Sequence, residues 1–207
     1  MLIFGLIMFP FGGIMETFWH IKDYWNPPYL IDIPYFYVEA NAFSFLISGI
    51  TVGLYDFLFT KNHVKIEGQK KAPKYFSLFL LFSEIAILLI FTNYFGYNSL
   101  IVSSFSFMLF SAIMIFIRKD LLIPSLLSGI LVVLIIIPIY YVLLNILSPN
   151  YVDTYFFLTN SKLGTTILGN IPLTELFWYF SWACCSSILY DFQRNYEKIK
   201  SSKRLTV

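Results

Sequence analysis

Charge is what this sequence has least of. Only 13% of its 207 residues are Asp, Glu, Lys or Arg, against roughly 25% in an ordinary soluble domain. With 58% hydrophobic residues and several long uncharged stretches, that scarcity excludes a water-soluble fold and indicates a polytopic membrane protein. Helices that satisfy their own backbone polar groups are then required. Cysteine is nearly absent too. Cys184 and Cys185 are adjacent inside an apolar run, and helix neighbours point apart, so they read as small packing residues and not as a disulfide or metal pair. His20 and His63 are the only histidines; they stand isolated, and no metal site is expected. No nucleotide, metal or nucleophile motif occurs, and no cofactor is called for. Nothing supports nucleic-acid binding, because the basic residues fall in short segments that topology and anionic lipid heads explain.

Six spans can be traced. The first, Met1 to about Phe18, contains Phe9-Pro10-Phe11-Gly12-Gly13, which is expected to kink it. Trp19 to Ile33 is aromatic and Pro-rich and reads as an interfacial segment. The second span runs from Pro34 to Phe59, the third from Tyr75 to Phe95 and the fourth from Asn98 to Ile117. The fifth covers Leu121–Leu147 and the sixth Thr166–Phe192, with its helix starting near Pro172. Residues 1–192 form one all-α transmembrane domain on this reading, followed by a basic tail, 193–207. An N-terminus inside places twelve of the fourteen Lys and Arg residues in 61–74, 118–120 and 193–207. That is a positive-inside pattern, with both termini cytoplasmic and a prokaryotic plasma membrane as the expected location.

Two stretches share an order. Pro172, Glu175, an uncharged run and Leu189-Tyr190-Asp191-Phe192 follow one another in the sixth span. Pro34, Glu39, an uncharged run and Leu54-Tyr55-Asp56-Phe57 do so in the second. Both spans run from outside to inside, each after an aromatic loop. The repeat is therefore parallel, helices one and two against five and six (about 14–57 and 163–192), and unlike the inverted repeats of many transporters.

Four carboxylates are candidates for chemistry: Glu16, Glu39, Glu84 and Glu175. Glu39 and Glu175 stand at helix starts, where the dipole alone favours an acid by ~0.3–1 kcal/mol. Glu84 lies near the middle of span three, where an acid costs roughly 2.5–3.5 kcal/mol and must face the bundle interior. A cluster of such acids would store protons for donation inside an apolar cavity. Asp56 and Asp191 fall roughly 25 Å beyond their glutamates by the helix rise, at the cytoplasmic interface, where charge pairing and helix termination are expected. Trp178 and Trp182 share a face with Glu175; Phe36 and Phe43 flank Glu39 in the same way. Much of the 20% aromatic content serves lipid-facing packing. Ring faces nonetheless stabilise cations, and an acid that protonates an alkene beside them suits isoprenoid chemistry.

Ile171-Pro172-Leu173-Thr174-Glu175-Leu176-Phe177-Trp178, with its echo from Pro34 to Glu39, resembles the lycopene cyclase domain family. These are small polytopic membrane proteins of two similar halves that act on a linear polyene without net redox change. The resemblance covers both repeat units and is weak between them. The family motif reads Pro, any residue, then two adjacent acids; here Thr174 takes the first acid position and Glu175 matches the second. The resemblance implies an acid–base role for Glu175 and Glu39. Pro172, Phe177, Trp178, Trp182, Pro34 and Phe43 are the candidates to surround a lipophilic isoprenoid-like substrate. The competing reading is a non-catalytic membrane module, such as a lipophilic small-molecule carrier or binding subunit. Under a third, both glutamates only favour helix starts. The sequence leaves open whether the chain works alone or in a homo- or hetero-oligomer.

Overall fold

The computed structural model describes residues 1–31, 33, 37–65, 73, 75–159, 161–194 and 196–200. It is an all-helical bundle. Five helices are long and apolar enough to cross a membrane: α1 (Leu2–Asp23), α2 (Val38–Phe59), α3 (Phe76–Tyr94), α4 (Ser99–Ile117) and α5 (Lys119–Leu147). They make the chain an integral membrane protein. A short α6 (Tyr151–Tyr155) precedes α7 (Leu173–Arg194). At 22 residues, α7 is about 33 Å long by the helix rise, long enough to cross a bilayer. It falls outside the apolar set by composition, since it carries Glu175, Ser181, Ser186, Ser187, Asp191 and Gln193. Its packing accounts for that composition: α2, α4 and α5 surround it, and most of its residues are buried. A helix bathed in protein need not be apolar on every side.

Two helix pairs dominate the packing, α1 along α2 and α5 along α7. Helix α2 also packs on α5 and α7 and so joins the pairs, while α3 lies against α4. Small residues set the closest approaches. A Cβ on Gly12 would lie 2.0 Å from the Ala40 carbonyl oxygen, and the Gly13 N–H donates to Asn41 Oδ1 at 2.7 Å. Hydroxyls bridge helices in the interior: Ser186 donates to Thr51 Oγ1 at 2.9 Å and Ser125 to the Cys184 carbonyl at 2.9 Å.

Several expectations need correction. Helix α1 continues through Pro10 and runs on to Asp23, so the interfacial segment begins later than Trp19. The Gly pair serves as a contact surface for α2. At Glu16–His20 the helix widens into a π-turn, as it does again at Leu89–Tyr94 and Val142–Leu147. The two aromatic loops pair with each other: Phe157 N–H donates to the Tyr24 carbonyl at 2.9 Å and Asn26 N–H to the Tyr155 carbonyl at 3.0 Å. At the opposite end β1 (Thr60–Lys65) pairs antiparallel with β4 (Tyr196–Lys200), joining two basic segments far apart in sequence. Beside this ribbon, Arg118 is buried and donates to the carbonyls of Asp191 and Tyr196, both at 2.9 Å, and to Asp120 Oδ1 at 3.1 Å. Asp191 is itself only 2% exposed. Pro34 and Phe36 lie outside the described residues, as does much of the lysine-rich loop and the end of the tail.

Candidate active site

Glu175 sits in the first turn of α7, and the chain before it is tightly fixed. Strand β2 (Thr166–Ile167) pairs with β3 (Ile171–Pro172) through a turn in which Leu168 and Gly169 both adopt positive φ. Gly169 is required there: its φ is +92°, and a Cβ would lie 2.0 Å from Asn145 Oδ1. Asn145, in the last turn of α5, accepts from the Asn170 N–H at 2.9 Å, and the Asn170 amide donates to the carbonyls of Leu144 and Pro149 at 3.1 and 2.7 Å. Pro172 is buried in this hairpin, and the Leu173 N–H donates to the Thr165 carbonyl at 2.9 Å. Helix α7 therefore starts from a position locked to the end of α5.

That lock aligns three polar side chains. The Tyr140 hydroxyl of α5 donates to Glu175 Oε2, and it lies 2.7 Å from the Tyr179 hydroxyl, one turn after Glu175. A phenol carries a single proton. When Tyr140 donates to the carboxylate, Tyr179 must donate to Tyr140; when the carboxyl is protonated, both bonds can reverse. The three groups thus form a relay with two directions. Glu175 is 7% exposed and Tyr179 2%.

Aromatic rings cover the relay. Trp178 and Trp182 stack with centroids 6.4 Å apart and planes 13° from parallel. Phe43 of α2 approaches Trp178 at 6.4 Å and Tyr179 at 6.1 Å, Phe107 of α4 approaches Trp182 at 4.9 Å, and Phe4 of α1 approaches it at 6.3 Å. Both tryptophan Nε1 atoms are buried without a protein partner. Helices α1, α2, α4, α5 and α7 all contribute to this layer.

The other candidates divide. Glu39 lies one turn before Phe43, and its Oε1 accepts the Leu30 and Ile31 N–H groups at 2.6 and 3.0 Å, so it fastens the loop after α1. Glu16, 2% exposed, accepts from the Tyr29 hydroxyl and from Trp25 Nε1 at 3.3 Å. Burial, the Glu16 hydrogen bond and the Glu16 charge push the Tyr29 phenol above its ordinary range, so it stays a donor. Burial and the neighbouring Tyr155 and Glu16 raise the Tyr151 phenol above its ordinary range. Glu84 is apart from this group. It faces the interior as expected, but its partner is Ser106 of α4, and its surroundings include Cys185. Phe177 turns outward onto Phe105 at 5.5 Å and does not join the tryptophan layer.

Tyr140, Tyr179, Phe107, Tyr29 and His20 escaped the sequence reading. Tyr179 follows Glu175 by four residues, and that spacing alone would have found it. Tyr140 gave no signal, since only the packing of α5 on α7 brings it to the carboxylate. His20 is not isolated: its Nδ1 lies 3.4 Å from Glu16 Oε2. Among the described residues no group of three or more His, Cys, Asp or Glu side chains is placed to hold a metal.

A family model described as lycopene cyclase matches residues 98–193. Over those residues the chain is similar to the lycopene cyclase family. The match holds α4 through α7, and with them Phe107, Tyr140, Glu175, Tyr179 and the tryptophan pair. It extends upstream of the unit at 163–192, across the region where the sequence resemblance is weak, and it does not include the unit at 14–57. No curated protein and no solved structure matches the chain.

Proposed function

We propose that the protein catalyses an acid-promoted, non-redox cyclisation of a linear isoprenoid polyene within the membrane, with Glu175 as the acid. The observation that carries this reading is the Glu175–Tyr140–Tyr179 relay set against the stacked Trp178–Trp182 pair. A buried carboxyl held by phenols can deliver a proton where no water competes. The proton joins a terminal alkene carbon, and the alkene's electron pair becomes the new C–H bond. The resulting tertiary cation is attacked by an internal double bond, which closes the ring. Loss of a proton from the carbon next to the new cation returns an electron pair to an alkene, so substrate and product are isomers. Trp178, Trp182, Phe43 and Phe107 face the cationic stage with their ring surfaces; a desolvated ring contributes ~2 kcal/mol or more to such a charge. Thr174 supplies no acid, and on this account the two phenols take the proton-carrying part of a second carboxyl.

Both glutamates of the proposed repeat lie toward the end opposite the basic β1–β4 ribbon. The positive-inside pattern supports a cytoplasmic ribbon and a Glu175 site toward the outer face. The test is expression in a bacterium that accumulates lycopene, followed by chromatography of the pigments. A cyclic product that disappears in Glu175→Gln supports the reading. Unchanged lycopene that co-purifies with a folded protein would favour a carrier instead.

A further inference from the structure

We propose that His20, oriented by Glu16, is the general base that takes the proton released when the ring closes. The inference rests on the cyclisation reading above. That reaction needs an acid and a base, and Glu175 with its phenols provides the acid.

The two side chains occupy the π-turn Glu16–His20 of α1, an irregularity that recurs at functional positions. His20 Nδ1 stands 3.4 Å from Glu16 Oε2. The Glu16 carboxylate is fixed by the Tyr29 hydroxyl on one oxygen and by Trp25 Nε1 at 3.3 Å on the other. A histidine whose Nδ1 faces a fixed carboxylate presents Nε2 as its free, basic nitrogen. His20 Nε2 is buried and has no protein partner. A histidine kept only for packing has no need to leave that atom unpaired in the interior.

The His20 ring adjoins an aromatic cluster against which residues of the Glu175 site also pack. The Tyr24 ring stands edge-on to His20 with centroids 5.9 Å apart, and it packs on Phe156 at 5.2 Å. Tyr140 and Trp178 pack against that same cluster. The Tyr24 hydroxyl is a second buried atom there without a partner. Among the described residues, Glu16 and Asp23 of its own helix and Tyr24 at its end are the titratable groups near His20, and Tyr29 of the following loop and Tyr151 of α6 face Glu16.

In the step assigned here, the C–H bond beside the ring cation breaks, its electron pair forms the product alkene, and the proton passes to His20 Nε2. Glu16 balances the imidazolium. His20 then returns the proton to solvent, and Glu175 is reprotonated from solvent through Tyr140 and Tyr179. Acid and base are separate groups, so every turnover places a solvent proton in the product.

The test uses the full-length protein in membranes supplied with lycopene in D2O, with products analysed by mass spectrometry. The wild type should incorporate one deuterium in every turnover. Label confined to the first turnover would mean that one group gives its proton to the alkene, takes up the hydrogen released on ring closure and passes that hydrogen to the next substrate, and would overturn the proposal. His20→Asn keeps a donor near the Nδ1 position and removes Nε2; its kcat should fall by ~10²-fold or more with little change in KM. Glu16→Gln should shift the acid limb of the kcat–pH profile while His20 remains. A folded His20→Asn protein with wild-type kcat would also overturn the proposal while leaving cyclisation by Glu175 intact. Absence of any cyclised product from the wild type would remove the reaction itself, a result distinct from either.

Discussion

Glu175 accepts from the Tyr140 hydroxyl, which in turn meets the Tyr179 hydroxyl at 2.7 Å. The acid, the proline before it and the tryptophans after it were legible from spacing, because one helix places positions three and seven residues on along one face. The tyrosine that binds the acid was not, since Tyr140 comes from another helix and its bond depends on how α5 lies on α7. Tyr140→Phe should therefore slow turnover without abolishing it, because Glu175 retains its proton but loses its relay. Trp178→Leu should lower turnover by about 10–30-fold, the equivalent of ~2 kcal/mol of cation stabilisation, with the protein still folded by thermal denaturation in detergent. Glu84 was grouped with the other acids on the strength of its depth in a span. Its bond to Ser106 sets it apart, so Glu84→Gln should leave turnover near the wild-type level while changing stability.

At the scale of elements, the hairpin before α7 decides where the acid stands. Gly169 combines a left-handed backbone with side-chain contact to Asn145. Gly169→Ala is expected to destabilise the fold by roughly 1–3 kcal/mol, read as a lower thermal midpoint, and to reduce turnover by shifting Glu175 against Tyr140. Asn145→Ala should act the same way, since the Asn170 N–H loses its acceptor. The helical class and the approximate ends of the five apolar helices followed from apolar run length. The π-turn of α1 and its extension to Asp23 did not, because they depend on packing against other elements and not on the length of an apolar run. The pairing of β1 with β4 was hidden for a related reason: contacts between distant segments leave no local pattern.

At the scale of the whole molecule, one helix of the bundle departs from the apolar composition of the rest. Five helices pass as membrane spans on length and apolarity, whereas α7, the helix carrying the acid, is polar because other helices enclose it. If α7 crosses the membrane as a sixth span, the two termini lie on the same side; five spans would put them on opposite sides. Reporter fusions at each end distinguish these, and both are expected to report cytoplasm. The central claim is chemical, and its most direct measurement is conversion of lycopene by the purified protein in lipid vesicles, wild type beside Glu175→Gln, followed by chromatography. The account predicts a cyclic isomer of unchanged mass from the wild type and a loss of ~10²–10⁴-fold in rate for the variant. Equal conversion by both proteins, or lycopene held unchanged by a folded wild type, would contradict it.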